Sequence, residues 1–196
     1  SAEIFGAPSV SPQDESTPVR PTSPYGAAKA YAHGLVGAYR TAGVSASSVI
    51  LYNHESPRRP ETFVTRKITA AAARISLGLQ DTLELGNLDA RRDWGWAPDY
   101  ADALVRAAQH PEADDFVIAT GVSHSVRDFV AAAFERAGVA DWERRVTVAD
   151  SLLRTGDAAL QRGDASKAQQ ILGWTPTVKF DEIVTAMVDH DLALLG

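Results

Sequence analysis

The sequence SPYGAAKAYAHGLVGAYRTAGVSASSVILYN, residues 23–53, combines the start of a helix with a buried strand. Ser23 is a preferred helix N-cap residue, Pro24 suits the first helical position, and the helical pattern that follows ends at Gly43. The run Val49-Ile50-Leu51-Tyr52 is apolar at consecutive positions, which is typical of a parallel strand covered on both faces. A helix that leads into such a strand predicts α/β architecture.

The rest of the chain continues this alternation of helices and strands. Strand patterns cover residues 82–85 and 116–119, and helical patterns cover residues 61–79, 99–109, 125–137, 165–172 and 181–195. Ser125 and Asp128 have the spacing of a capping box at a helix start. Because no repeat and no long linker interrupts these elements, we predict a parallel α/β sheet joined to a smaller, helix-rich part.

Composition excludes several classes of protein. The 196 residues are 45% hydrophobic and 22% charged, which fits a globular protein better than a disordered chain or a coiled coil. The net charge of −6 argues against nucleic acid as a partner. No apolar run reaches the roughly 20 residues of a membrane helix, so we expect no membrane partner and a cytoplasmic location. The chain lacks cysteine and paired histidine ligands, and we expect no metal site.

Tyr25 and Lys29 lie four positions apart on the first predicted helix, so their side chains share one face. A nearby ammonium favours the phenolate form of a tyrosine, which can then accept a proton from a sugar hydroxyl. The same spacing also arises by chance on many surface helices. The pair becomes a catalytic hypothesis in combination with other residues.

The first residues of the chain supply two further polar groups. Ser1-Ala2-Glu3-Ile4-Phe5-Gly6 has the pattern of a strand end, and the side chains of Ser1 and Glu3 would then point to the same side of a sheet. A hydroxyl and a carboxylate would converge there. Because the sequence begins with serine at this apparent strand end, we also expect the chain to be a fragment of a longer protein.

Five sequence words carry a resemblance to a known family. They are Ser1-Ala2-Glu3-Ile4-Phe5-Gly6, Ser23-Pro24-Tyr25-Gly26-Ala27-Ala28-Lys29, Asn53-His54-Glu55-Ser56-Pro57-Arg58-Arg59, Thr62-Phe63-Val64-Thr65-Arg66-Lys67-Ile68 and Gly86-Asn87-Leu88-Asp89-Ala90-Arg91-Arg92-Asp93-Trp94-Gly95. In this order they resemble the GDP-mannose 4,6-dehydratase family of extended short-chain dehydrogenases/reductases, over almost the whole chain. Many extended short-chain enzymes, including epimerases, share the first two words, whereas the last three are more specific.

The resemblance implies the C-terminal part of a doubly wound, Rossmann-type parallel sheet together with a smaller, helix-rich substrate-binding domain. Residues 1–55 would belong to the dinucleotide-binding domain, whose first half is missing here. Residues 56–196 would mainly bind the nucleotide sugar, with the segment 98–121 returning to the Rossmann domain. No Gly-x-x-Gly-x-x-Gly turn, which would hold the cofactor pyrophosphate, occurs in the sequence. We therefore expect the fragment alone to bind NADP poorly and to be inactive.

The resemblance also implies a reaction. Enzymes of this family use NADP to oxidise carbon 4 of the mannosyl group of GDP-mannose, eliminate water across carbons 5 and 6, and return the hydride to carbon 6. Tyr25 would deprotonate the carbon-4 hydroxyl, Lys29 would hold the nicotinamide ribose, and Ser1 would hydrogen-bond the same oxygen. Glu3 would remove the carbon-5 proton, which the carbon-4 ketone makes acidic. Members of the family are expected to form homodimers or homotetramers.

Residues 58–92 are basic within an acidic chain, with seven Lys or Arg against four Asp or Glu. Guanidinium groups bind phosphates bidentately, so this stretch suits a nucleotide diphosphate. For Arg66 and Arg74 we expect a solvated helix face instead. The resemblance implies that Tyr25, Lys29, His54 and Arg59 contact NADP. It implies that the GDP-sugar is bound by Asn53, Val64, Lys67, Arg92, Arg154 and Asp157.

Two alternatives stay open. Another nucleotide-sugar epimerase, dehydratase or reductase of the same superfamily would share the first two words. The family has a motif resembling Arg-Pro-Thr-Glu where this chain has Arg154-Thr155-Gly156-Asp157. The carboxylate of Asp157 is one methylene shorter than that of glutamate, so selectivity for guanine over another nucleotide stays open. A noncatalytic nucleotide-sugar binding protein is the second alternative, but a binder would not need the groups of Ser1, Glu3, Tyr25 and Lys29 together.

Overall fold

The chain, described from a computed structural model over residues 1–153 and 158–196, divides into two compact units. Unit 1 contains Ser1–His54, Arg92–Ser123 and Gly156–Thr177, and unit 2 contains Glu55–Arg91, His124–Thr155 and Val178–Gly196. Arg154 and Asp157, two of the residues predicted to bind the GDP-sugar, lie outside the described residues.

Helices and strands alternate along the described residues, which confirms the predicted α/β class. In chain order the elements are a 3-10 helix Ala2–Phe5, α1 Pro24–Thr41, β1 Ser48–Leu51, β2 Asn53–Glu55, α2 Val64–Ser76, β3 Leu83–Leu85, β4 Arg91–Arg92, β5 Trp94–Trp96, α3 Ala97–Gln109, β6 Asp115–Ile118, β7 His124–Ser125, α4 Val126–Arg136, α5 Trp142–Arg145, β8 Val146–Val148, a second 3-10 helix Asp150–Leu152, α6 Ser166–Leu172 and α7 Phe180–Leu195. The sequence analysis missed several short elements, since periodicity needs longer segments to be recognised. They are β2, β4, β5, β7, α5, β8 and the second 3-10 helix.

A parallel pair of strands lies at the centre of unit 1. β1 and β6 pair from Ser48 with Asp115 to Leu51 with Ile118. Phe116, Val117 and Ile118 of β6 are buried, and so is Ala119, which follows the strand. This burial is expected for a strand covered on both faces. β1 differs from that expectation: Ile50 is buried, whereas Leu51, which points to the other face, is only half-buried.

The prediction that residues 1–6 end a strand is wrong. Ala2–Phe5 form a 3-10 helix in which Ser1 Oγ accepts a hydrogen bond from Glu3 N at 3.4 Å and Glu3 O accepts one from Gly6 N at 3.3 Å. These local bonds satisfy backbone groups that a strand would pair with a neighbour. Gly6 has a φ of 61°, and a β carbon there would lie 2.1 Å from Arg20 O. Ser1 and Glu3 are therefore related by a tight turn and not by alternation across a sheet.

The carboxylate of Asp93 joins three segments of unit 1. It is fully buried, with 0% exposure. Its Oδ1 accepts hydrogen bonds from Thr120 N at 2.8 Å and Thr120 Oγ1 at 2.7 Å, and its Oδ2 accepts from Gly121 N at 2.9 Å and Gly163 N at 3.3 Å. Burial raises the pKa of Asp93, and these hydrogen bonds oppose the rise. The segment after β6 and the segment before α6 are thereby fixed to the start of β5.

Unit 2 is mainly helical. α2 packs against α4 and α7, and β3 pairs in parallel with β8 from Leu83 with Val146 to Leu85 with Val148. Ala70–Ala73 are buried on α2, which permits close approach of the neighbouring helices because alanine adds little bulk.

The expectation that Arg66 lies on a solvated helix face is wrong. Arg66 is buried on α2, and its Nη1 lies 2.5 Å from Asp191 Oδ1 on α7, while its Nε donates to Pro57 O at 3.0 Å. A buried cation needs such partners, because an unpaired charge in the interior is costly. Arg74 behaves as expected: it forms an exposed ion pair with Glu61 at 2.9 Å.

Replacing Asp93 with alanine should destabilise the protein by about 3–5 kcal/mol, because the donors of Thr120, Gly121 and buried Gly163 would lose the acceptor that holds their segments together. The free energy of unfolding in urea measures this. Asp102 provides the control, since it forms an exposed i,i+4 ion pair with Arg106 at 2.7 Å, and Asp102→Ala should cost less than about 1 kcal/mol. Similar losses in both variants would contradict a special role for Asp93.

Candidate active site

The first helix presents Tyr25 and Lys29 as a pair. Ser23 Oγ accepts a hydrogen bond from Gly26 N at 3.0 Å and Pro24 occupies the first turn, so α1 begins where the sequence predicted. The side chain of Tyr25 is 57% exposed. Lys29 Nζ lies 5.5 Å from the centre of the Tyr25 ring. The ammonium of Lys29 therefore lies beside an accessible phenol ring.

Gly26 allows the start of α1 to contact the turn that carries Glu3. A β carbon at Gly26 would lie 2.6 Å from Glu3 O and 3.1 Å from Pro21 Cβ, so any larger residue would force the two segments apart. The residue after Tyr25 thus packs directly on the backbone of Glu3. The sequence analysis quoted Gly26 as part of a motif, but its packing partner is separated along the chain and could not be identified from the sequence.

The carboxylate of Glu3 is held by a residue that the sequence analysis did not consider. Gln161 Nε2 donates a hydrogen bond to Glu3 Oε1 at 2.8 Å. Gln161 is 3% exposed, and both Ser1 and Glu3 are half-buried. No feature of the sequence connects two residues that lie so far apart in the chain, so this contact required the tertiary structure.

His54 and Asn53 follow β1 in unit 1, and both are half-buried. His54 Nδ1 lies 2.9 Å from Tyr52 O and its ring stacks on Tyr100, with 5.1 Å between the ring centres. Because a carbonyl oxygen can only accept, Nδ1 carries the hydrogen, and in the neutral ring Nε2 is the acceptor. The orientation of the imidazole is therefore fixed by the protein.

Arg92 is buried, and one of its donors is already used within the chain. Its Nη1 donates to Ala158 O at 2.7 Å, and its exposure is 9%. The predicted role of Arg92 at the GDP-sugar stays a prediction. The observed bond shows that Arg92 also supports the segment that leads to Gln161.

In unit 2, Arg59 is held by a buried carboxylate. Arg59 Nε lies 3.3 Å from Glu55 Oε2, and its guanidinium carbon lies 3.8 Å from the centre of the Phe63 ring. Glu55 is 1% exposed and also accepts a hydrogen bond from Thr65 Oγ1 at 2.6 Å. Burial raises the pKa of Glu55 to about 7, while Arg59 and Thr65 act to lower it. Arg59 is therefore oriented before any ligand binds.

Val64 and Lys67 lie on the first turns of α2, and both are half-buried. Lys67 Nζ donates to Glu84 O at 2.6 Å. This bond ties the side chain of Lys67 to β3 of the same unit. The contacts of both residues with a GDP-sugar stay predictions.

Metal-ligand clusters and membrane-length apolar helices are both absent from the described part of the chain. In that part, no group of three or more His, Asp or Glu side chains is arranged to hold a metal ion. None of its helices combines the length and the apolar character needed to cross a membrane.

The sequence of the chain is similar to the sequences of GDP-mannose 4,6 dehydratases. The sequence profile described as GDP-mannose 4,6 dehydratase matches residues 1–187. The chain is 47% identical over 195 residues to GDP-mannose 4,6 dehydratase 1 of Arabidopsis thaliana, covering 99% of this chain and 54% of that protein. It is 44% identical over 211 residues to the Homo sapiens GDP-mannose 4,6 dehydratase, covering 99% and 57%. The chain spans about half the length of the curated relatives it matches.

Solved structures share the fold. The structure of RMD from Pseudomonas aeruginosa complexed with NADPH superposes with a TM-score of 0.89 at 23% identity, covering 99% of this chain and 65% of that one. DesIV, a dTDP-glucose 4,6-dehydratase from Streptomyces venezuelae with NAD and TYD bound, gives a TM-score of 0.84 at 24% identity, covering 96% and 57%. At this identity the comparison establishes the α/β fold of the chain.

Replacing Gly26 with alanine should lower the free energy of unfolding by about 1–3 kcal/mol, because the added β carbon would collide with Glu3 O. Gly34 is a matched control on the same helix, since nothing lies within 4 Å of a β carbon there. Gly34→Ala should stabilise the protein by about 0.5–1 kcal/mol through helix propensity. Urea denaturation of both variants gives the comparison, and two changes of the same sign would refute the packing argument.

Replacing Glu55 with glutamine should change the pH dependence of stability. The folded-state pKa of about 7 lies above the ordinary 4.5, so between these values the folded state keeps a proton that the unfolded state has lost. The contribution of Glu55 to stability therefore falls as pH rises through this window. Relative to the wild type, Glu55→Gln should gain about 2–4 kcal/mol in free energy of unfolding across it, as each pKa unit is worth about 1.4 kcal/mol.

Glu61→Gln is the control for this experiment. The exposed ion pair with Arg74 lowers the pKa of Glu61 below 4.5, so Glu61 titrates outside the window. The stability difference between Glu61→Gln and the wild type should stay nearly constant there. A flat difference for Glu55→Gln as well would show that Glu55 is ionised throughout.

Proposed function

The chain belongs to the GDP-mannose 4,6-dehydratase family, and we propose that the whole protein converts GDP-mannose to GDP-4-keto-6-deoxymannose with NADP as its cofactor. The reaction class is that of a hydro-lyase, because the net change is the loss of water. One observation carries the proposal: a hydroxyl, a carboxylate, a phenol and an ammonium occupy two segments of unit 1 that touch at Gly26 and Glu3.

The proposal assigns two proton transfers to this chain. Tyr25, with Lys29 nearby, takes the proton of the carbon-4 hydroxyl while Ser1 hydrogen-bonds the same oxygen. Once carbon 4 is a ketone, Glu3 takes the carbon-5 proton. The electron pair of that bond forms the double bond between carbons 5 and 6, and hydroxide leaves carbon 6. Each group is of the chemical type that its step requires.

The chemistry of the side chains fits the proposed cofactor. NADP, when bound, supplies the reversible oxidation that these proton transfers serve. The exposed ammonium of Lys29 can donate to ribose hydroxyls, and the cationic guanidinium of Arg59 can bind a phosphate. His54 offers a ring whose orientation is fixed by Tyr52 and Tyr100.

The substrate contacts are proposed on the same basis. Four residues of the motifs shared with the family are proposed to bind GDP-mannose, together with Arg154 and Asp157: Asn53, Val64, Lys67 and Arg92. Lys67 and Arg92 carry the positive charge that a nucleotide diphosphate requires.

Turnover of GDP-mannose by the whole protein, expressed from its source gene and supplied with NADP, tests the proposal. A 4-keto-6-deoxy product should appear by NMR. Tyr25→Phe and Glu3→Gln should each lower kcat roughly 100-fold or more, because each removes a proton acceptor. Tyr31→Phe is the matched control: Tyr31 lies on the same helix, is 71% exposed and has no proposed role, so it should turn over at the wild-type rate.

The outcomes separate the alternatives. If GDP-mannose is untouched while another nucleotide sugar reacts, the protein is a different enzyme of the same superfamily. If it binds nucleotide sugars and transforms none, it is a noncatalytic derivative. Residues 1–196 expressed alone are proposed to be inactive, and turnover by them at the rate of the whole protein would refute that part.

A further inference from the structure

The amide of Gln161 is placed to act on the carboxylate of Glu3. Gln161 Nε2 donates to Glu3 Oε1 at 2.8 Å. A carboxylate can only accept and an amide nitrogen can only donate, so the direction of this bond is unambiguous. Hydrogen bonds to an ionised acceptor are about twice as strong as neutral ones. Among the described residues, no donor to the other oxygen, Oε2, is found.

The segment that carries Gln161 is anchored on both sides of it. Every anchor is a hydrogen bond to a buried residue of unit 1, and the pairs are Ala158 O with Arg92 Nη1 at 2.7 Å, Arg162 O with Gln13 N at 2.9 Å, Gly163 N with Asp93 Oδ2 at 3.3 Å and Asp164 N with Gln13 O at 2.8 Å. Gln161 itself is 3% exposed. Its side chain therefore has few alternative positions, and the bond to Glu3 is formed by a rigid support.

The close packing of this segment supports the same conclusion. A β carbon at Gly163 would lie 2.4 Å from Ala119 Cβ and 2.7 Å from the Tyr52 ring, so the backbone two residues beyond Gln161 sits directly against β6 and the end of β1. Tyr52 in turn donates to Gln13 Oε1 at 2.9 Å. Displacement of the segment would break several of these contacts at once.

We propose that Gln161 is a positioning residue for the elimination step. It binds Oε1 of Glu3 and thereby directs Oε2 toward the carbon-5 proton of the substrate. The inference rests on the proposed function, because Gln161 can assist the reaction only if Glu3 is the base of the elimination step. A glutamate has three side-chain torsions, and a base that must meet one C–H bond loses rate when it samples other orientations.

Two substitutions in the whole protein test this role. Gln161→Met keeps an unbranched side chain of similar length and removes the donor. It should lower kcat for GDP-mannose roughly 10- to 100-fold, the equivalent of one hydrogen bond to a charged group. KM, and the affinity for GDP-mannose measured by calorimetry, should stay within about 2-fold, because the ground-state contacts are unchanged. A merely structural role would lower stability and affinity together.

Gln161→Glu adds a readout that does not depend on the absolute value of kcat, namely the pH dependence of kcat. It is isosteric with the wild type but places a second carboxylate against Glu3. Like charges in contact disfavour ionisation, so the acid limb of the kcat pH profile should move to higher pH. Gln13→Met is the structural control: Gln13 is buried and anchors the same segment without contacting Glu3. It should lower the melting temperature and leave the acid limb in place.

The outcomes distinguish failure of this inference from failure of the proposed function. If the wild type does not transform GDP-mannose, the proposed function fails. If the wild type is active and both Gln161 variants keep its kcat and pH profile, the positioning role is overturned. If Gln161→Met does not fold, Gln161→Glu decides, and an acid limb at the wild-type pH overturns the proposal.

Discussion

The buried carboxylate of Asp93 is the constraint on which unit 1 depends. It accepts hydrogen bonds from Thr120, Gly121 and Gly163 at 0% exposure, and a carboxylate in that environment is tolerable only because these donors replace water. The consequence reaches the candidate site. Gly163 is part of the segment that carries Gln161, so the geometry at Glu3 follows from a hydrogen-bond network around a residue with no proposed chemical role.

Close backbone packing is the second condition for the site. The turn of Ser1 and Glu3 touches the first turn of α1 at Gly26, where no side chain larger than hydrogen fits. The groups proposed for proton transfer thus sit on short segments fixed by the absence of a side chain and by local hydrogen bonds. Such support suits a catalytic base, because small displacements of a reacting group strongly lower the reaction rate.

The arginines of the basic stretch take different roles although their charges are equal. Arg66 is buried with Asp191 and holds α2 to α7, Arg74 pairs with Glu61 at the surface, and Arg59 is oriented by buried Glu55. A run of basic residues in the sequence therefore does not by itself indicate ligand binding, because some of these cations form ion pairs within the chain. Arg59 stays partly exposed beside its buried partner, and it is the one of the three that we propose for a ligand phosphate.

The sequence by itself determined the α/β class, the long helices and strands, the helix start at Ser23 and Pro24, and the family. Those properties depend on local periodicity, on helix capping and on short sequence motifs, all of which involve residues that are close together in the chain. It misjudged residues 1–6 as a strand end, because a short apolar and polar alternation fits a 3-10 turn equally well. The contacts of Glu3 with Gln161, of Gly26 with Glu3 and of Arg66 with Asp191 were decided by the tertiary structure. Each joins residues distant in the chain, and burial and pairing of that kind emerge when the elements pack.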